Sequence, residues 1–125
     1  MGRLSVVCGV ILEGNKLFLA QRGPGGPHAG LWEFPGGKIE EGESPEHALC
    51  REFREELNCE IRILESLPAV RGERIELQPY LARFMSPPQK LQHQELCWAA
   101  LSDALKMPMP PCDRQVVGTL LKRGL

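Results

Sequence analysis

The 125-residue chain carries almost no net charge, with 15 Lys and Arg against 16 Asp and Glu, so it lacks the basic stripe that nucleic-acid polymers call for. It has no run of about 18 apolar residues, which excludes a membrane-spanning helix. Its opening, MGRLSVVCGVILEGN, lacks a signal-peptide cleavage region and reads as a strand. The five cysteines (Cys8, Cys50, Cys59, Cys97 and Cys112) are odd in number and contain no CxxC pair. That argues against a disulfide framework or a zinc site and for reduced thiols in a cytoplasmic protein. No internal repeat is present, and the length suits one domain over residues 1–125.

What is present is a series of short β-rich runs around one strong helical segment. Leu4 to Glu13 and Lys16 to Gln21 flank Gly14-Asn15 and predict a hairpin. Gly23 to Gly30 is too rich in Gly and Pro for regular structure. Leu31 to Phe34 predicts a short strand stopped by Pro35-Gly36-Gly37. Glu60 to Leu67, Arg74 to Met85 and Glu95 to Ala100 read as strands, with Pro79 indicating an edge or a bulge in the second of these. Ser102 to Lys106 reads as a helical turn. Pro108, Pro110 and Pro111 then exclude regular structure before a final helix over Asp113 to Lys122. The pattern is that of an α+β layered domain.

The segment from 37 to 59, GKIEEGESPEHALCREFREELNC, carries the most chemistry. Ser44 followed by Pro45 is a helix start, a capping hydroxyl and then a residue with φ already set. Asn58 suits the left-handed turn that ends a helix. Between them Leu49, Phe53 and Leu57 fall at i, i+4 and i+8 and predict a buried stripe. Glu52, Glu55 and Glu56 lie on the neighbouring face, where like charges repel unless a cation gathers them. Two readings are open: a solvated acidic face with Arg51 and Arg54 as counter-ions, or a divalent-metal site.

Laid against Gx5Ex7REUxEExGU (U aliphatic), the segment places Gly37, Glu43, Arg51, Glu52, Phe53, Glu55 and Glu56 in register, with Asn58 where the pattern has Gly and Phe53 and Cys59 not strictly aliphatic. The chain resembles the Nudix hydrolases. The resemblance implies the Nudix fold, an α/β/α sandwich with a mixed β-sheet, and a substrate in which a nucleoside diphosphate is linked to a further group. It implies Mg²⁺, with Mn²⁺ as an alternative, bound by Glu55, Glu56 and the Gly36 carbonyl. Glu52 would be a further ligand or the group that orients and deprotonates water, and Arg51 would pair with Glu43 and Glu55.

Upstream, LWEFPGGKIEEGES is similar to the MutT-like branch of that family. Leu4, Val6 and Phe34 match positions lining the base pocket there, core packing being the alternative for each. Arg22 matches a phosphate-contacting position, against a plain surface arginine. Counting back six residues from Trp98, where the branch has a metal-reaching loop glutamate, gives Gln92; its amide oxygen could ligate but brings no charge. Glu95 could substitute if the loop shifts, and His93 reads as a loop residue rather than a ligand.

Asp113 stands where the branch places an asparagine that reads oxidised guanine. An ionised aspartate only accepts hydrogen bonds and so favours the amines of cytosine and adenine, whereas a protonated one would regain a donor. Asp113 could equally cap the last helix.

These expectations converge on a Mg²⁺-dependent pyrophosphohydrolase acting on a nucleoside triphosphate, either an oxidised or modified one such as 8-oxo-dGTP in nucleotide-pool sanitation, or CTP and 5-methyl-dCTP. ADP-ribose-type hydrolysis and a catalytically silent binding module are the other readings. No nucleic-acid polymer or membrane is an expected partner, and monomer and homodimer are both compatible with the sequence.

Overall fold

Alternation along β1 (Leu4–Glu13) sets the layout of the computed structural model, which describes residues 2–125. Val7 and Ile11 join one hydrophobic cluster and Cys8 and Val10 another, because successive side chains of a strand leave on opposite faces. β1 runs parallel to β7 (Ile75–Phe84), in register from Leu4 opposite Ile75 to Ile11 opposite Ala82. On its other side Val6 to Cys8 pair antiparallel with β4 (Gly36–Lys38), and Leu12 and Glu13 pair with β2 (Lys16–Gln21). β2 carries β3 (Trp32–Glu33) and β8 (Glu95–Ala100), while β7 carries β5 (Ile61–Ser66) and β6 (Val70–Arg71). The result is a mixed eight-stranded sheet.

Helix α1 (Pro45–Leu57) covers one face. Ser44 Oγ accepts the His47 amide at 3.1 Å, and Asn58 stops the helix in the left-handed region at φ 47°. Leu49, Phe53 and Leu57 are fully buried, as the stripe predicts. The helix comes close because β1 has glycine beneath it: a β-carbon at Gly9 would sit 2.6 Å from the Phe53 ring. Truncating Phe53 to Ala would cost about 3–5 kcal/mol, the usual figure for a large core side chain. Helix α3 (Pro111–Lys122) covers the opposite face with Val116, Val117 and Leu120, and the short α2 (Leu101–Ala104) adds Leu101 and Ala104 to the same cluster. This is the α/β/α layering with a mixed sheet that was expected.

Four local expectations are corrected. β3 does end before Pro35, but Gly36-Gly37 then open a strand of their own, because a glycine at 36 lets β4 approach β1 where a β-carbon would overlap the Val7 carbonyl. Pro79 lies inside the sheet, paired with Cys8. The register shift lies instead on the neighbouring β5, between Ile63 and Glu65, and the Pro79 carbonyl accepts the Leu67 amide at 2.9 Å just past the last β5 pair, Ser66 opposite Tyr80. β6 is an additional two-residue strand. The last helix begins at Pro111, whose fixed φ suits a first turn. Asp113 is therefore inside the helix and does not cap it. No helix among the described residues is long and apolar enough to cross a membrane, and all five cysteines are unpaired.

Candidate active site

Arg51 organises the acidic side of α1. Its Nε donates to Glu43 Oε2 at 2.7 Å, and Nη2 donates to Glu43 Oε1 and the Lys38 carbonyl, each at 3.0 Å. Nη1 reaches Glu52 Oε1 at 2.8 Å and Glu55 Oε1 at 3.0 Å. A planar guanidinium can serve this many acceptors where an ammonium cannot. Glu43 also accepts the Glu40 amide and faces His47, and with Arg51 beside it its carboxyl is lowered to about 2. The loop before the helix is thereby clamped to the helix, and the Arg51 guanidinium is held well above its ordinary range, first by Glu43.

Glu52 lies over β4, where a β-carbon at Gly37 would overlap its carboxylate. Glu56, one helical turn on, is 13% exposed and has a buried Oε1 with no hydrogen-bond partner. Burial first, and then the Glu52 and Glu33 carboxylates, raise Glu56 to about 9. An unsatisfied carboxyl oxygen beside further carboxylates is a donor set a hard divalent cation would complete. Among the described residues no three acidic, His or Cys groups already converge at ligand separation, since Glu52 and Glu55 turn to Arg51 instead. The residues fit the metal in kind, with Arg51 holding two of the donors.

These carboxylates open into a cleft of about 610 Å³ whose other end is apolar. Leu4 and Val6 from β1 line that end with Phe34, and so do Ile75 and Leu77 from β7, which the sequence did not mark. Leu4 is exposed, so it is not core; Phe34 is buried and belongs both to the core and to the cleft wall. Cys8 contributes a thiol that burial keeps firmly protonated. Asp113 is the buried polar group here: its Oδ2 accepts the Phe34 amide at 2.9 Å, and burial raises its carboxyl to about 7.

Arg22, Gly36 and Gln92 also line the cleft. Arg22 is half exposed, 3.5 Å from Glu33, and Gln92 donates weakly to the Glu55 carbonyl at 3.4 Å. Glu95 is not there: it begins β8 at the surface, 3.8 Å from Lys90, because its backbone is fixed opposite Gln21. The expected substitution of Gln92 by Glu95 is corrected accordingly. Glu33 was missed as a member of the cleft, and His93 as a buried residue of the adjoining pocket that shares Arg22, Glu33, Glu56 and Gln92 with it. His93 does lie on a loop, but its side chain is only 6% exposed and faces Glu33 at 3.2 Å. The one signal for Glu33 was an acid between Trp32 and Phe34 in an apolar strand; for His93 there was none.

A family model described as NUDIX domain matches residues 2–120. The chain is 39% identical over 118 residues to a CTP pyrophosphohydrolase of Escherichia coli, covering 90% of this chain and 87% of that protein. It is 33% identical over 124 residues to a putative 8-oxo-dGTP diphosphatase of Mycobacterium tuberculosis, covering 94% and 87%. Its structure is similar to that of a MutT NUDIX hydrolase from Burkholderia pseudomallei, with a TM-score of 0.85 at 29% identity and coverage of 96% and 99%.

Proposed function

The chain belongs to the Nudix family of hydrolases, and on that footing we propose that it is a Mg²⁺-dependent nucleoside triphosphate pyrophosphohydrolase converting NTP and water to NMP and pyrophosphate. The observation that carries this reading is one cleft with a carboxylate-lined end on α1 and an apolar end bearing a buried acid, Asp113. An extended triphosphate and a base need those two environments in that order.

Mg²⁺, or Mn²⁺ in its place, would be held by Glu52, Glu55, Glu56 and the Gly36 carbonyl, with the Gln92 amide at the margin; it would lower the pKa of water and offset charge on the phosphates. Glu52, lying over β4, would be either one of those ligands or the group that orients the attacking water and takes its proton. Arg51 holds Glu52 and Glu55 in place through a shared Nη1, and Arg22 supplies positive charge for the phosphate chain. At the other end Leu4, Val6 and Phe34 hold the base, and Asp113 reads its edge.

The substrates we infer are oxidised or modified (deoxy)nucleoside triphosphates such as 8-oxo-dGTP, in a role of nucleotide-pool sanitation within the cytoplasm. A second reading, CTP or 5-methyl-dCTP, is favoured by Asp113 itself: its Oδ2 is engaged by Phe34, and an ionised Oδ1 would accept an exocyclic amine. The whole chain is read as one domain.

Initial rates with Mg²⁺ across 8-oxo-dGTP, dGTP, CTP, 5-methyl-dCTP, 2-hydroxy-dATP and ADP-ribose, with products separated by chromatography, test this. Monophosphate plus pyrophosphate from 8-oxo-dGTP supports the first reading, and the same products chiefly from cytidine nucleotides support the second. Turnover of ADP-ribose alone, or of nothing, would overturn both.

A further inference from the structure

A buried imidazole lies in the pocket beside the cleft, sharing Arg22, Glu33, Glu56 and Gln92 with it, and the reaction as proposed does not use it. His93 Nε2 is 3.2 Å from Glu33 Oε2 and 3.7 Å from Glu56 Oε1, while His93 Nδ1 and Glu56 Oε1 are both buried without a hydrogen-bond partner. A carboxylate facing Nε2 selects the tautomer with its proton there, since a bare lone pair would repel it. That proton serves Glu33 and lies just beyond hydrogen-bond reach of Glu56. Glu33 lies on β3 beside Arg22 and next to Phe34, whose amide holds Asp113. One ring therefore stands between a strand of the base end and the acidic helix.

We propose that His93 is a positioning residue that ties Glu33 at the base end of the cleft to the orientation of Glu56 for its cation. The proposal rests on the metal-binding reading given above. A change at Glu33 is transmitted to the metal through the ring, although Glu33 is not itself among the donors. Second-layer partners of this kind typically govern metal affinity or activity by about 10- to 100-fold.

The test is Mn²⁺ binding followed by electron paramagnetic resonance, with kcat and KM for the best triphosphate measured alongside, for wild type, His93→Ala, His93→Gln, Glu33→Gln and the Glu33→Gln/His93→Ala double variant. His93→Ala is expected to weaken Mn²⁺ binding by about tenfold and to lower kcat with little change in KM. His93→Gln, whose amide nitrogen can reach the Nε2 position, should recover most of both. Glu33→Gln should weaken Mn²⁺ binding in the wild-type background and have no further effect in His93→Ala. Should His93→Ala not fold, His93→Asn, too short to reach Glu33, takes its place with the same expectations. Unchanged Mn²⁺ affinity in the His93 variants, or a Glu33→Gln effect of equal size in both backgrounds, would overturn the proposal and leave the hydrolase reading intact. A wild-type protein that turns over triphosphate with Mg²⁺ yet binds no Mn²⁺ would overturn it too.

Discussion

The Phe34 amide donates to Asp113 Oδ2 at 2.9 Å, so the acid of the last helix is fastened to the chain just ahead of the Gly36-Gly37 strand. The bond does not offset burial, and the carboxyl rises from 3.8 to about 7. Between those values the folded state binds more protons than the unfolded chain, so this group's contribution is fully present below about pH 4 and is lost as pH rises through about 7. Asp113→Asn keeps an acceptor for Phe34 and removes the titration. Its stability relative to wild type should therefore improve between pH 4 and pH 8, by at most about 4 kcal/mol at 1.36 kcal/mol per unit. Urea unfolding at both pH values measures this; parallel pH profiles would mean that Asp113 ionises freely. The same variant should shift base preference towards 8-oxo-dGTP, and an unchanged rate ratio against CTP would remove Asp113 from base reading.

Arg51→Lys should destabilise the protein by about 2 kcal/mol, since an ammonium cannot replace a fork that serves Glu43, Glu52 and Glu55 together. Thermal unfolding reads the loss. A Tm equal to wild type would show that the clamp on the loop is dispensable.

Glu55→Gln is expected to leave the fold intact, because Glu55 is half exposed and takes no part in the core, while removing most metal-dependent turnover. Circular dichroism and initial rates with Mg²⁺ separate the two effects. Activity near wild type would sink the assignment of Glu55 to the metal.

Glu56, raised to about 9, carries a proton at neutral pH in the metal-free protein and must release it to ligate. Calorimetric titration with Mg²⁺ at pH 7 in buffers of different ionisation enthalpy should report close to one proton released. Affinity should strengthen as pH rises towards 9, and binding without proton release would place the cation elsewhere.

Where the determinants are local, the sequence was sufficient to read structure. The span of α1 follows from Ser44, Pro45, Asn58 and the Leu49–Phe53–Leu57 stripe, all within a few turns of one another. β4 was hidden because two glycines look like a stop until β1 and Glu52 crowd against them. Pro79 misled for a related reason: on one side of β7 it falls in the gap between the β5 pairing, which ends at Tyr80, and the β6 pairing, which ends at Leu77, and both partners are distant in sequence. His93 joins the pocket beside the cleft only through burial against Glu33 and Glu56, residues 60 and 37 positions away, and no local pattern encodes such a meeting. The Asp113 cap failed by the shift of one helix start, since Pro111 could open the helix that Pro108 and Pro110 precede.

The acidic helix brings its own start and stop, whereas the apolar end of the cleft is assembled from β1, β7, the Phe34 segment and α3. The two ends can therefore drift at different speeds in a lineage. On the proposed reading, substitutions at Leu4, Ile75, Leu77 or Asp113 would change which base is admitted while leaving the acidic helix as it is. A gene copy with this architecture would inherit the acidic helix whole and vary only the far wall of the cleft.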